Sequence, residues 1–512
     1  MTHSIIDRIA GRFAATGLGR RARAYVAQQR RRRVQPHWTD ILGVTSAAAL
    51  VVLFVTGILL MFVYSPSSGQ VVYDGPWAPL VGQHVSKAYA STMRISLEVR
   101  GGLLVRQAHH WAALLLPASV IMQLLTSFFT GAFRRPRRAS WVLLYLFFFA
   151  VLAGGWSGYA LPDDLLAGTG LRIAQGVALS IPFVGTRLAH LLFGGPFPSR
   201  IIEHLYPLHV AVVPVALLAL VVLLGRAGRR EAPPRFAHPG RPNDEVRVWP
   251  TAAVRRAGLF AVAVGVLAGM AALVTIAPIW VFGPSSAGDA SAGSQPDWYT
   301  GFLDGALRLV PPGWEFEWLG HTWSPALLLP LAATGLFLVA GFVYPFLEER
   351  LTRDRAPHHL RVRPRNAPVR TGAGVAAITF YGALWGAGSA DIAATHFMLS
   401  VESVVHFYQA LVLLGPAIAF ELTRRVCVGL QRKDREILVH GFETGRIVRL
   451  PGGRFAEVHQ QVPSYERWRY LGAGDESPSP SVTAGPGARS ELADRSAPAG
   501  QVDPTHEKRE AS

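Results

Sequence analysis

Eight stretches of this chain are apolar over about twenty residues or more, and no soluble fold accommodates them. They run 39–64, 103–130, 140–161, 204–225, 257–282, 324–346, 372–392 and 403–423, the last two being the least apolar. An α-helix needs about 20 apolar residues to cross ~30 Å of hydrocarbon. Half of the 512 residues are hydrophobic. A soluble domain would spread them at helix or strand period, whereas here they lie in unbroken runs. The expected fold class is an all-α integral membrane protein of eight transmembrane helices.

The net charge of +17 raises the question of a nucleic-acid partner, and its placement answers it. Arg20, Arg21, Arg23 and Arg30 to Arg33 precede the first run, and Arg134, Arg135, Arg137 and Arg138 follow the second. Arg226, Arg229, Arg230, Arg255 and Arg256 lie between the fourth and fifth. Further basic residues fill 350–370 after the sixth, and Arg424, Arg425 and Arg432 follow the eighth. Basic clusters thus occupy every second loop, while 65–102, 162–203, 283–323 and 393–402 are poorer in them. This is the positive-inside pattern, and it places both termini in the cytoplasm of a multi-pass cell-membrane protein. The charge belongs to topology, and no nucleic-acid partner is implied.

Residues 1–38 are basic and lack the apolar core of a cleavable signal. They read as an N-terminal segment on the cytoplasmic membrane surface. Residues 39–230 hold helices one to four, with 162–203 as surface helices on the outer side, and 231–430 hold helices five to eight. A cytoplasmic extension follows over 431–474. The Ser-, Pro-, Gly- and charge-rich segment 475–512 reads as a disordered tail. The single cysteine, Cys427, excludes a disulfide framework or a thiolate cluster, so any metal must take other ligands.

Ionisable residues inside spanning segments are costly and are functional candidates by default. His109 in helix two and His209 in helix four lie at similar depth, a turn or two from the outer surface. Two imidazoles from neighbouring helices can ligate one haem iron from both faces. The same placement also suits interfacial histidines that hydrogen-bond to neighbours. Arg106, three residues before His109, shares its helix face and could pair a haem propionate. Gly43, Gly57 and Gly158 would let a flat ring approach the backbone, although membrane glycines also serve helix packing.

Arg106-x-x-His109, Gly158-Tyr159-Ala160-Leu161-Pro162, and Leu208-His209 with Pro214 together resemble cytochrome b of quinol-oxidising bc-type complexes. Pro296-Asp297-Trp298-Tyr299 matches that family's quinol-site signature Pro-Glu/Asp-Trp-Tyr. PDDLLAGTG (162–170), FTGAFRRPRR (129–138) and YPFLEERL (344–351) extend the likeness over about residues 35 to 460. The resemblance implies a haem-binding four-helix bundle over 39–230, with His109 and His209 as metal ligands and Arg106, Gly57 and Gly158 as cofactor contacts. It implies that Asp297 accepts a quinol proton, that Tyr299 and Tyr159 wall the pocket, and that Trp298 packs. The implied partners are a Rieske-type iron–sulphur subunit, a cytochrome c-type subunit, membrane lipids and quinol, in a dimeric complex.

The family normally stacks two b haems across the membrane, and here the chain departs from it. Fourteen residues return to nearly the same helix face. Fourteen after His109 stands Gln123, and fourteen or fifteen after His209 stand Leu223 and Leu224. The family's inner arginine falls on Thr126, and its inner glycine of helix three on Leu144. One outer-side heme b is therefore expected, with side chains filling the inner half and no full Q cycle. The reading is a quinol–cytochrome c reductase-type oxidoreductase subunit. The alternative is a non-catalytic paralogue acting as scaffold or assembly partner. Retention of Arg106, His109, His209 and Asp297 argues for the former, and the lack of broken helices or repeats argues against a transporter.

Overall fold

The structure is a computed structural model that describes residues 16–195, 200–231, 234–236, 245–286, 288, 295–463 and 466–471. The tail expected over 475–512 lies outside the described residues, as do residues 1–15 of the N-terminal segment. The chain is mostly helical. Eight long helices run in the order α1 (Asp40–Met61), α2 (Gly102–Phe129), α3 (Arg138–Ala160), α4 (Ile201–Glu231), α5 (Val248–Leu273), α6 (Pro325–Thr352), α7 (Pro368–Gly388) and α8 (Val401–His440). Seven of them are long and apolar enough to cross a membrane; α7 is the exception. Its 21 residues carry Arg370 near the start and are interspersed with Gly and Thr, which dilutes the apolar signal below that of the other seven. The count of eight spans thus rests on α7 and is not met by length and composition.

Two boundaries differ from expectation for local reasons. The fifth apolar run was expected to stay helical to 282, yet α5 stops at Leu273, where Val274 turns extended (φ −126°, ψ 102°). Pro278 then fixes a break before a short turn, Ile279–Phe282. At the other extreme, α8 runs 40 residues to His440. At 1.5 Å per residue it is about 60 Å long, roughly twice the hydrocarbon thickness, so its last turns leave the apolar layer. A β-hairpin, Phe442–Arg449 with Phe455–Gln460, continues from it.

α1 packs on α2, α2 on α3 and α3 on α4, while α5 lies against α1 and α2, and α7 pairs with α8. The loops at one end of this assembly carry the surface helices Leu165–Leu179 and Gly185–Phe193, in the stretch where surface helices were expected. His109 and His209 lie towards that histidine end. The opposite, arginine-rich end holds the 129–138 loop.

The half of the bundle nearer the arginine-rich end is filled. Ala49, Leu116, Val120, Leu124, Tyr145 and Phe148 form a continuous buried core, and Leu144 and Leu224 pack against it. Gln123 donates through Nε2 to Ser46 Oγ (2.8 Å), and Ser46 and Ser119 share a buried hydroxyl contact of 2.6 Å. Thr126 turns its hydroxyl back to Met122 O. Leu223 does not join this core: it is 42% exposed on the outside of the bundle. The reason lies in α4, where one widened turn adds a residue between His209 and this level. The position that returns to the bundle interior is then Leu224.

At the arginine-rich end, buried Arg370 donates to Glu348 through Nε (2.9 Å) and Nη2 (2.5 Å), while its Nη1 is buried without a partner. Arg135 makes a bidentate contact with Glu349 (3.0 and 2.7 Å), which Arg138 also reaches at 2.6 Å. These pairs clamp the 129–138 loop and α7 to the end of α6. Removing one member of a buried pair strands the other charge and typically costs about 3–5 kcal/mol, more than an apolar replacement of both. Glu348→Gln should therefore lower unfolding free energy by about 3 kcal/mol or more in detergent. The double variant Glu348→Leu/Arg370→Leu should recover part of that loss in the same melt.

Candidate functional site

α4 is not uniform. Ile201–Pro207 is α-helical, Leu208–Val212 widens into a π turn, and Val213–Glu231 is α-helical again. Val213 N–H donates to Leu208 O, five residues back. Pro207 and Pro214 bracket this turn without N–H groups of their own, so the regular i to i−4 ladder is interrupted there. Single π turns occur mostly where a functional side chain is re-aimed, and His209 sits in this one. Its Nδ1 is 3.0 Å from Gly154 O of α3 and 3.2 Å from Ser157 Oγ. A carbonyl only accepts, so Nδ1 carries the proton and donates to it. Nε2 is left with a lone pair.

His109 on α2 is fixed in the same sense. Its Nδ1 is 2.9 Å from Thr56 Oγ1 of α1, and that hydroxyl donates to Val52 O at 2.6 Å. With its one proton committed to Val52, the hydroxyl accepts from Nδ1–H. Nε2 is again the unprotonated nitrogen. Orienting a ligand imidazole through its second nitrogen in this way is the usual arrangement at metal sites.

The two rings face each other with centroids 6.1 Å apart and planes inclined at 66°. Two metal–nitrogen bonds of ~2 Å plus two ring radii of ~1.1 Å require about 6 Å, so the separation fits ligation of one iron. A cavity of about 420 Å3 surrounds them, lined by all four helices α1–α4, with Gly57, Gly158 and Arg106 in its wall. The glycines make room for the imidazoles themselves. A Cβ on Gly57 would lie 3.2 Å from His109 Cε1, and one on Gly158 would lie 2.5 Å from His209 Cε1. Arg106 is 8% exposed and donates through Nη2 to Ala277 O (3.1 Å), while its Nε is buried without a partner. A buried cationic donor left free beside two aimed imidazoles suits an anionic, flat, iron-bearing ring. The residues present fit a b-type haem.

A second cavity of about 430 Å3 adjoins the first, mostly apolar, between α3, the surface helix Leu165–Leu179, the 296–307 segment and α6. Asp297 and Tyr159 line both cavities, and Tyr299 lines the second. Asp297 accepts from Tyr299 OH through Oδ2 (2.9 Å) and meets His110 Nε2 through Oδ1 (3.1 Å). Tyr159 OH reaches Gln295 O at 3.4 Å. Trp298 packs, donating from Nε1 to Leu114 O (3.3 Å), and its own carbonyl accepts from Trp385 of α7 (3.1 Å). Tyr299 is fully buried against α3 at Gly155, where a Cβ would fall 2.4 Å from its hydroxyl.

Asp164, 4% exposed, caps the surface helix by accepting from Ala167 N–H (3.1 Å) and lines the first cavity. Burial pushes its carboxyl up to about 6, against the pull of the Ala167 N–H and of Arg106. On the far rim of the second cavity, Arg308 holds Asp304 (2.9 Å) and Asp391 (3.1 Å). Burial raises the Asp304 carboxyl while Arg308 opposes the rise.

The structure thus brings Asp297, Tyr299, Tyr159, His109, His209, Arg106, Gly57 and Gly158 into two adjoining cavities. Sequence reasoning missed His110 as a partner of Asp297, Thr56 as the anchor of His109, and Gly154 and Gly155. His110 follows His109 directly, so it points about 100° away round the helix, and only the position of the distant 296–299 turn gives it a role. Thr56 stands beside Gly57, and its hydroxyl inside an apolar run was an available signal.

The fold and site define a membrane helix bundle that grips a redox ring between two opposed histidines beside an apolar pocket. Residues 114–284 match the family described as Cytochrome b(N-terminal)/b6/petB. The chain is 41% identical over 456 residues to the cytochrome bc1 complex cytochrome b subunit of Streptomyces coelicolor, covering 88% of this chain and 83% of that one. It is 44% identical over 431 residues to the protein of the same name from Mycobacterium bovis, covering 83% and 78%. A solved structure titled "Hyperthermophilic respiratory Complex III" shares the fold with a TM-score of 0.60 at 18% identity, over 83% of this chain and all of that one. The chain belongs to the family of cytochrome b subunits of bc1-type complexes, multi-pass membrane proteins of respiratory electron transport.

The close contact at Gly158 yields a direct test. Gly158→Ala forces the His209 ring to move, because its Cβ would stand 2.5 Å from Cε1. Haem b per chain, measured as the pyridine haemochrome, should fall at least fivefold. Gly43→Ala, whose Cβ meets nothing within 4 Å, should keep its haem.

Proposed function

We propose that this chain is the quinol-oxidising cytochrome b subunit of a bc1-type complex and retains a single b haem, ligated by His109 and His209. The observation that carries the reading is Asp297, which lines both the pocket and the histidine cavity and is held by Tyr299 and His110. Quinol enters the apolar pocket beside Tyr159 and Tyr299, and the Asp297 carboxylate accepts a proton from its hydroxyl. Tyr299 and His110 each engage one carboxylate oxygen, so the group is oriented before substrate arrives. When bound, the haem supplies a one-electron acceptor beside this pocket, its propionate facing Arg106. The other electron leaves to a Rieske-type iron–sulphur partner and then to a cytochrome c-type subunit, in a dimeric complex.

The single-haem reading is supported by the packing of the other half of the bundle. Gln123 is committed to Ser46, and Leu144 and Leu224 pack on the core where a second ring would lie. With that position filled, the transmembrane relay of a full Q cycle is broken. The placement of arginines supports an orientation with the histidine end outside, α7 as an eighth span, and both termini in the cytoplasm.

Purified complex should contain one haem b per copy of this chain and give one single-electron wave in a redox titration. Two haems would end the single-haem reading. In that complex Asp297→Asn should slow quinol oxidation by about 100-fold, in the range expected for loss of a general base, at unchanged haem content. A scaffold paralogue would show no quinol oxidation in either form.

A further inference from the structure

The arginine-rich end carries a second built cavity that quinol chemistry does not use. The N-terminal helix Gly17–Arg31 leads into a short strand, Arg33–Val34, which pairs antiparallel with Val246–Arg247 ahead of α5. Val248 N–H donates to Arg32 O (2.9 Å) and closes the ladder. The pairing sets Arg33 directly opposite Arg247, a like-charge arrangement that is unfavourable unless something neutralises it. Arg30, Arg31, Arg33 and Arg247, with Ala27, line a cavity of about 460 Å3. Among the described residues none of the four has a carboxylate within 4.0 Å, whereas Arg256 and Arg235 close by are paired with Asp40 and Glu245.

The position of this cavity identifies its ligand further. It sits just before α1 and α5 enter the apolar layer, flanked by Trp38 and Trp249, which are 64% and 52% exposed. Exposed tryptophans at the ends of spanning helices mark the headgroup level of a bilayer. Guanidinium groups bind phosphate oxygens through paired N–H donors, and four of them round one cavity call for more than one negative charge. We propose that this cavity binds the phosphate headgroup of an anionic phospholipid, best a lipid with two phosphates, and so pins the N-terminal helix to the membrane surface. The proposal requires only that this end of the bundle lie at a bilayer surface; it is independent of the haem and quinol reading. A soluble diphosphate offers the same oxygens but no acyl chains for the flanking apolar surface.

The test uses the full chain in its purified complex, in nanodiscs of phosphatidylcholine titrated with a fluorescent diphosphatidylglycerol lipid. Saturable binding of one lipid per chain is expected. The variant R30Q/R31Q/R33Q/R247Q should weaken it at least tenfold. R226Q/R229Q/R230Q/R432Q, which removes the same charge from exposed arginines elsewhere at this end, should change it less than twofold. The single variant Arg247→Gln leaves the N-terminal helix intact and should still cost threefold or more. Equal losses in the two quadruple variants would mean diffuse attraction and overturn the proposal. Displacement of the lipid by inorganic pyrophosphate at matching concentration would make the site one for a soluble anion, and would also overturn it. Unchanged haem absorbance and far-UV circular dichroism establish that each variant is folded.

Discussion

Each of the two facing imidazoles has its Nδ1 proton spent on a neighbouring helix, on Thr56 Oγ1 for His109 and on Gly154 O for His209. These two hydrogen bonds decide the tautomer, and the tautomer decides that both free lone pairs sit on Nε2. They also tie α2 to α1 and α4 to α3, so the pairs that form the bundle are the pairs that aim the ligands. An apolar interior makes such bonds strong and makes their loss expensive. The 6.1 Å ring separation is therefore a consequence of how four helices are fastened, and the cavity between them follows from it.

The chain reaches this arrangement by breaking local rules. A helix with Pro207 and Pro214 seven residues apart cannot keep a regular ladder, and α4 answers with a π turn at Leu208–Val212. The glycines opposite serve the same end: Gly57 and Gly158 leave space where a methyl would press on a ring. Gly155 does likewise for Tyr299, which in turn holds Asp297. Small residues on α1 and α3 thus set how closely side chains of α2, α4 and the 296–299 turn can approach. A residue with a Cβ at any of these places would move a group that bears on electrons or protons.

Most of the architecture was legible because hydrocarbon demands long apolar runs, and the histidine and arginine positions were legible because charges in such runs are costly. What failed to read out were features fixed by contacts between distant segments. The role of His110 depends on the 296–299 turn arriving beside α2, which no spacing on α2 reveals. Leu223 was expected inside because fourteen residues restore a helix face. The π turn inserts one residue, and Leu224 takes that place while Leu223 faces outward. The end of α5 at Leu273 came from an extended Val274 within an apolar run, where hydropathy cannot distinguish helix from strand. The weak signal of α7 has a different origin. It is fastened by Arg370 to Glu348 and by its pairing with α8, so it needs less apolar surface of its own.

The two halves of the bundle finally differ in how they treat polar groups. In the histidine half, Arg106 Nε is buried and unpartnered, and both imidazole lone pairs face a cavity. Polar groups left open in an apolar interior cost free energy, and proteins retain them where a ligand repays the cost. In the other half, Gln123, Ser46 and Ser119 satisfy one another within a packed core, and Thr126 bonds back to its own helix. Nothing there is left waiting for a partner. A haem site that had lost only its ligands would keep its glycine slot and its spare donors. Here ligand positions, slot and donors have all been converted to ordinary packing, which is the physical form expected of a position that no longer holds a ring.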